Sequence, residues 1–307
     1  MIADRRAPGL AVWRWELALV TVTAVWGATF VVVREAVARV PPSAFIAVRF
    51  LAAAALLAAL RPRQALRPDR GLAAAGVVAG LALFAGYTLQ TVGLQYTSAS
   101  SAGFITGLAV VLTPLLGALL LRQRPGRWPA TGALLAAAGL ALLTLERFEV
   151  RRGDLLVLGC AFAFATHILL LGRYSPRHAS YQLAVVQLAT TGVLALAWAG
   201  AAGDLRLPGS PQVWFALAVT AVLASAGGFL VQTRAQRDVS PTRTAIIFTM
   251  EPVFAALFAF WLAGEHLAAR GWLGAACIVA GMLVAALGRP AEVPVATPGE
   301  YPLRPAS

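Results

Sequence analysis

The sequence predicts an all-α integral membrane protein: ten transmembrane helices arranged as two inverted five-helix repeats around a central cavity. Three observations predict it. The 307 residues are 59% hydrophobic and only 12% charged, whereas a soluble chain is about a quarter charged. The apolar residues fall into ten runs near the ~20 residues that a spanning helix needs. The chain also repeats itself at an offset of about half its length.

The charge balance narrows the function. A net charge of +12 would suggest a nucleic-acid partner in a soluble chain. Here the charges lie between the apolar runs, and the positive-inside rule explains them without nucleic acid. All 25 basic residues are Arg. A P-loop ATPase needs a Walker lysine and a pyridoxal enzyme a Schiff-base lysine, so neither class fits. No ATP and no cofactor is expected. Cys160 and Cys277 each sit inside an apolar run without metal-ligand spacing and read as small buried hydrophobes.

In chain order, a cytoplasmic N-terminus (residues 1–15, with Arg5, Arg6 and Arg14) precedes span one, Glu16 to Val37. Its basic start and Ala36-Val37-Ala38 mimic a signal peptide, but Arg34 and Glu35 interrupt before that site and the run is span-length. Span two, Ser43 to Leu60, carries Arg49. From Gly71 to Leu121 nothing ionisable occurs except Tyr. That stretch is too long for one span, and Gln95-Tyr96-Thr97-Ser98 divides it into Gly71 to Leu94 and Ser98 to Leu121. Span five, Pro129 to Leu145, closes a first repeat over residues 16–145. Spans six to ten are Gly153 to Leu171, Tyr181 to Ala201, Val213 to Thr233, Ser240 to Leu262 and Gly271 to Leu287. They form a second repeat over 153–288. The Pro-rich tail, 289–307, is expected to be disordered.

Arginine counts orient the bundle. With the N-terminus inside, seventeen arginines fall on the cytoplasmic side and six outside, so both termini are expected in the cytoplasm. Arg147, Arg151 and Arg152 run against the trend. Trp13, Trp15, Trp128 and Trp272 lie near span ends and fit an interfacial belt. Gly76-x-x-x-Gly80 and Gly103-x-x-x-Gly107 allow close helix contact.

An offset of 142 lays Gly86-Tyr87-x-x-Gln90-Thr91 on Gly228-Phe229-x-x-Gln232-Thr233, Gly132 on Gly274 and Gly139 on Gly281. Earlier in the chain an offset of 138 lays Trp26 on Phe164 and Arg49 on Gln187. Five spans per copy is an odd number, so the second copy enters the membrane inverted. Inverted repeats mark secondary transporters.

Particular motifs carry a resemblance over nearly the whole chain. They are Trp26-Gly27-Ala28-Thr29-Phe30 in span one, Arg49 in span two, Tyr96-Thr97-Ser98-Ala99 before span four, and Glu251-Pro252 through Gly264-Glu265 in span nine. With these the chain resembles tandem EamA domains of the drug/metabolite transporter superfamily. The first copy departs from the pattern, with Val110 and Arg122-Gln123 in place of Pro252 and Gly264-Glu265, and its proline displaced to Pro114. The resemblance implies a secondary exporter of small polar metabolites in a bacterial inner membrane. Family members export aromatic amino acids, threonine, homoserine and other metabolites; related branches carry sugar nucleotides and triose phosphates.

Intramembrane ionisable residues are costly, so each is a candidate for function. Glu251 lies eleven residues after Ser240, about 16 Å along a helix and so near mid-bilayer. Pro252 follows it and frees a backbone carbonyl. Such a carboxylate can bind an amine or a proton, or pair with Arg49. Arg49 can hold a substrate carboxylate in two-pronged fashion, snorkel outward, or pair with Glu35. His167 can titrate near neutrality or serve as a hydrogen-bonded packing residue. Gln90 and Gln232, mates in the repeat, suit a zwitterion or bridge helices. Trp26, Tyr87, Phe164 and Phe229 lie at matching levels, as cavity walls or as ordinary packing.

Function follows from these residues and the resemblance together. The expected partners are a small-molecule substrate, protons and the lipid bilayer, and the expected substrate is a neutral or aromatic amino acid exported by alternating access. Only Arg49 is a credible intramembrane cation, too few for a diphosphate. The alternatives are other metabolites or drugs, such as nucleosides, organic cations and sugar derivatives, or a polytopic membrane enzyme. The enzyme motifs His-Glu-x-x-His and Gly-x-Ser-x-Gly are absent.

Overall fold

A computed structural model describes residues 8–65, 67–97, 99–121, 126–144, 152–205, 209–263 and 268–287, and no strand occurs among them. Arg206, Gly264-Glu265 and the C-terminal tail lie outside the described residues. The helices are α1 (Pro8–Val37), α2 (Pro42–Leu60), α3 (Pro62–Ala65), α4 (Arg70–Gly93), α5 (Ala99–Gly107), α6 (Ala109–Leu121) and α7 (Arg127–Thr144). They continue as α8 (Arg152–Tyr174), α9 (Ser180–Ala202), α10 (Pro211–Val219), a π-helical turn (Thr220–Gly227), α11 (Gly228–Ala235), α12 (Pro241–Phe248), α13 (Met250–Ala263) and α14 (Ala269–Ala286).

The boundaries follow local chemistry. The Asp69 carboxylate accepts the Leu72 N–H at 2.9 Å and starts α4. Ser210 and Ser240 cap α10 and α12, each followed by a proline at the first helical position. Gly203 ends α9 in the left-handed region, φ 72°, where a glycine meets no steric cost. The polar segment after Gly93 forms a turn, as its composition predicts.

Seven helical stretches among the described residues are long and apolar enough to cross a membrane: Pro42–Leu60, Arg70–Gly93, Ala102–Leu120, Arg152–Tyr174, Ser180–Ala202, Pro211–Ala235 and Ala269–Ala286. The 30-residue α1, the shorter apolar run Arg127–Leu143 and the α12–α13 pair accompany them. Leu115, Leu119, Leu134, Leu155, Phe215 and Leu273 point outward with more than half their surface exposed. A soluble surface rarely carries so much contiguous apolar area, while lipid tails accept it.

Three departures from the sequence reading matter for the site. Spans four and nine are not continuous helices. α5 gives way to α6 at Leu108, and α12 to α13 at Thr249. At the second break Pro252 has no N–H for the Phe248 carbonyl, and the Thr249 N–H and hydroxyl both turn back to Ile246 O. The third departure is the π-helical turn within span eight, which neither composition nor periodicity signals.

Packing sets the layers. Against α2 lie α9 and the π turn; against α4 lie α8 and α9. A buried apolar cluster with Phe50, Leu83, Leu188 and Phe229 lies between them. α7 and α14 make the closest approach. A Cβ on Gly132 would stand 2.5 Å from Gly281 O, and one on Gly139 would stand 2.6 Å from Gly274 O. The two helices therefore run antiparallel. Gly76 and Gly80 likewise admit Val186 and Thr190 of α9. Of the other small-residue pair only Gly107 is packed, against Leu140, while Gly103 faces open space. Trp13, Trp128 and Trp272 are exposed, and Trp15 lies beneath Arg234, 4.5 Å from its ring centroid.

Candidate functional site

Arg49 organises the centre. It sits midway along α2, only 6% exposed, so it neither snorkels to the interface nor pairs with the exposed Glu35. Its Nε donates to Ser225 Oγ at 2.7 Å and its Nη2 to Tyr87 OH at 3.3 Å. The guanidinium carbon lies 5.0 Å from the Tyr87 ring centroid, a favourable cation–π distance. Ser225 belongs to the π turn.

Aromatic rings extend from this point as one connected set. Tyr87 meets Phe50 at 4.9 Å, Phe164 at 5.5 Å and Phe229 at 6.3 Å between centroids. Phe229 meets Trp26 at 5.6 Å, and Trp26 meets Phe248 at 5.0 Å. The four aromatics expected from the sequence are thus contiguous, joined by Phe50 and Phe248, which the sequence reading missed. Phe50 carries one available signal, its place directly after Arg49. Trp26 is fixed by an N–H donated to Ala224 O at 2.9 Å.

Glu251 lies in the first turn of α13, just after the break at Thr249. Its backbone is packed on α1 at Gly27, where a Cβ would come within 2.8 Å of Glu251 O. A helix N-terminus favours a carboxylate. Among the described residues no hydrogen bond or ion pair reaches the Glu251 carboxylate. The charge of Arg49 acts on it, yet the two form no direct ion pair.

Of the remaining candidates, His167 borders this centre, its ring edge-on to Phe229 at 5.9 Å between centroids, while the two glutamines make hydrogen bonds of their own. The Gln90 amide donates to Thr106 Oγ1 at 3.3 Å, and that hydroxyl also touches Cys160 Sγ. Gln232 donates to Gln236 Oε1 at 3.0 Å, and Gln236 in turn donates to Ile168 O. His167 Nε2 lies 2.7 Å from Gln187 Oε1, and the Gln187 amide donates to Thr233 Oγ1 at 2.8 Å. His167 and Gln232 are fully buried in these ladders and bridge α8, α9 and α11, as polar side chains do between membrane helices. Both cysteines are free, Cys160 buried and Cys277 partly so.

The small apolar recess between α13 and α14, lined by Val253, Leu257, Phe260 and Trp272, holds none of the candidate residues. Among the described residues no cluster of His, Cys, Asp or Glu is arranged to hold a metal.

Comparisons extend over nearly the whole chain. Residues 13–145 and 151–287 each match the model of the EamA-like transporter family. An uncharacterized transporter of Archaeoglobus fulgidus is 31% identical over 273 residues, covering 89% of this chain and 85% of its own. The uncharacterized transporter YyaM of Bacillus subtilis is 26% identical over 274 residues, covering 84% and 89%. A solved crystal structure superposes with a TM-score of 0.77 at 19% identity, over 89% of this chain and 96% of that one. At that identity the likeness speaks of fold alone.

Proposed function

Because the chain belongs to the EamA-like transporter family, and is thereby a multi-pass membrane transporter, we propose that it exports small zwitterionic metabolites, neutral or aromatic amino acids foremost, from the cytoplasm of a bacterium. One observation carries this reading. A buried guanidinium and a half-buried carboxylate stand near each other without pairing, beside a set of aromatic rings. The two charges match the two charges of an amino acid, and the rings offer an apolar wall. A carboxylate without a partner is costly inside a membrane unless a ligand uses it.

Two inverted five-helix halves are part of the proposal. Three features support them. The Gly132–Gly281 contact, with each residue exchanged for its mate at the 142 offset, becomes Gly274–Gly139, which is also a contact. Gly86 against Phe164 matches Gly228 against Trp26. Breaks at Leu108 and Thr249 fall within one residue of the same offset. Discontinuous helices near mid-membrane are where secondary transporters bind their cargo. Alternating access then needs no ATP, in keeping with a chain that has no Walker lysine.

The experiment is counterflow. Proteoliposomes loaded with a labelled neutral amino acid are diluted into unlabelled competitors. Saturable exchange of amino acids, independent of ATP, is the expected result. No exchange with any amino acid, alongside exchange of an organic cation or nucleoside, would overturn the substrate class.

A further inference from the structure

We propose that Ser225 is a positioning residue: from the π-helical turn Thr220–Gly227 it sets the Arg49 guanidinium so that its outer edge meets the substrate carboxylate. The proposal rests on the reading of Arg49 given above and deepens it.

The argument starts with the donors of a guanidinium. It carries five N–H bonds in a rigid plane, and two edges of that plane can each grip a carboxylate. The side edge is formed by Nε and Nη2, the end edge by Nη1 and Nη2. Ser225 Oγ occupies Nε at 2.7 Å and Tyr87 OH occupies Nη2 at 3.3 Å. The side edge is therefore filled by the protein. Both N–H bonds of Nη1 and one of Nη2 remain without a partner among the described residues. A carboxylate docking on Arg49 meets the end edge, in one orientation only.

The π turn supplies the anchor. Two successive residues in it hold two side chains from other helices: Ala224 O accepts the Trp26 indole N–H at 2.9 Å, and Ser225 Oγ accepts the Arg49 Nε–H. A π turn amounts to one extra residue in an α-helix, and such turns recur at functional sites. One residue corresponds to about 100° of helix rotation. The insertion lets Ser225 face α2 while Phe229 and Gln232 keep their own faces further along. Among the described residues of the first repeat no such turn occurs. At the matching offset α4 continues as an ordinary α-helix, and the position of Ser225 is held by Leu83, which is 1% exposed in the apolar core.

Ser225 touches no substrate in this scheme; it acts through Arg49. Without its oxygen the Nε–H loses its acceptor, and the guanidinium is no longer held in one orientation. The carboxylate then loses a prepared partner, while an amine bound at Glu251 is unaffected.

The test compares an amino acid with the amine that lacks its carboxylate, as competitors of labelled amino-acid flux in proteoliposomes. Wild type is expected to prefer the amino acid. In Ser225→Ala the KM for the amino acid rises about tenfold, the scale of one hydrogen bond to a charged group, with maximal flux close to wild type. Inhibition by the amine stays as in wild type, and Ser225→Thr, which restores the acceptor oxygen, restores the preference. Should Ser225→Ala fail to fold, Ser225→Cys, a far weaker acceptor of similar size, serves in its place. A variant that keeps the full preference, or that lowers flux for both compounds alike, overturns the positioning role while leaving the site reading intact. A wild-type protein with no preference for the carboxylate overturns the site reading, and this proposal with it.

Discussion

Glu251 and Arg49 stand near each other in the membrane interior without forming an ion pair, and this spacing decides what their removal does. If they are reserved for cargo, Glu251→Gln lowers counterflow by about tenfold or more, since one interaction of 1.4 kcal/mol already gives that factor. Its melting temperature stays close to wild type. Were the two residues a structural pair, losing either one would instead cost about 3–5 kcal/mol of stability. Arg49→Gln and the double variant complete the cycle, and recovery of stability in the double variant would favour the structural pair. Outside the membrane, Asp69 makes a second residue-scale prediction. The Leu72 N–H beside it holds its carboxyl below the usual range, helped by the Gly71 N–H. The stabilising cap is therefore fully present above the ordinary carboxylate pKa, and it is lost as pH falls through the lowered one. Amide protection in the first turn of α4, relative to the intrinsic exchange rate at each pH, is expected to fall on acidification in wild type but to stay flat in Asp69→Asn. Much at this scale was legible in the chain. Arg49, Glu251 and the four aromatics stand out because charge and large rings are rare among so many Ala and Leu. Ser225 was not legible: its partner lies 176 positions away, and a serine in an Ala-rich run looks like filler.

Helices are interrupted where the chain must expose backbone. Pro252 is one cause of the α12–α13 break, and Glu251 depends on that break to sit at a helix start. Pro252→Ala is expected to let α12 run on into α13, which removes the favourable N-terminal placement of the carboxylate. Transport falls while thermal stability holds or rises, because a helix-interior proline costs about 3 kcal/mol. A faithful carrier with unchanged KM would refute the link between break and site. The start of α12 at Ser240-Pro241 coincides with the expected edge of span nine, whereas α10 starts at Pro211, two residues before the expected Val213. The Leu108 break was not readable. Pro114 lies beyond it, and the turn is set by packing among α5, α6 and α8 rather than by a local stop signal.

At one end of the molecule a charged tie joins three helices. Near the start of α1, Glu16 accepts from Arg243 Nη1 of α12 at 3.0 Å, and Arg243 Nη2 donates to Ala286 O at the end of α14. The ion pair is nearly buried, so Arg243→Gln is expected to lower the melting temperature, with a cost of about 3–5 kcal/mol. The charge swap Glu16→Arg with Arg243→Glu should recover part of it. The orientation itself is tested by cysteines replacing Arg67 and Arg39, which the topology puts on opposite faces; labelling of both from one side would sink it. That the chain is an all-helical membrane protein was readable from its hydropathy, because lipid demands helices of known length. The α7–α14 seam was not: its four glycines stand out in sequence only as mates in the repeat, and nothing local says that they face one another across two helices. That seam has a genetic consequence. At Gly132, Gly139, Gly274 and Gly281 an added methyl strikes a carbonyl oxygen of the main chain, and no codon change can trim a carbonyl. At Gly107 and Gly86 the obstacle is a side chain, Leu140 or Phe164, and a smaller residue there can restore the fit. A search for second-site suppressors should therefore recover them readily for Gly107→Ala and Gly86→Ala at those two positions, and never at the direct contacts of the seam.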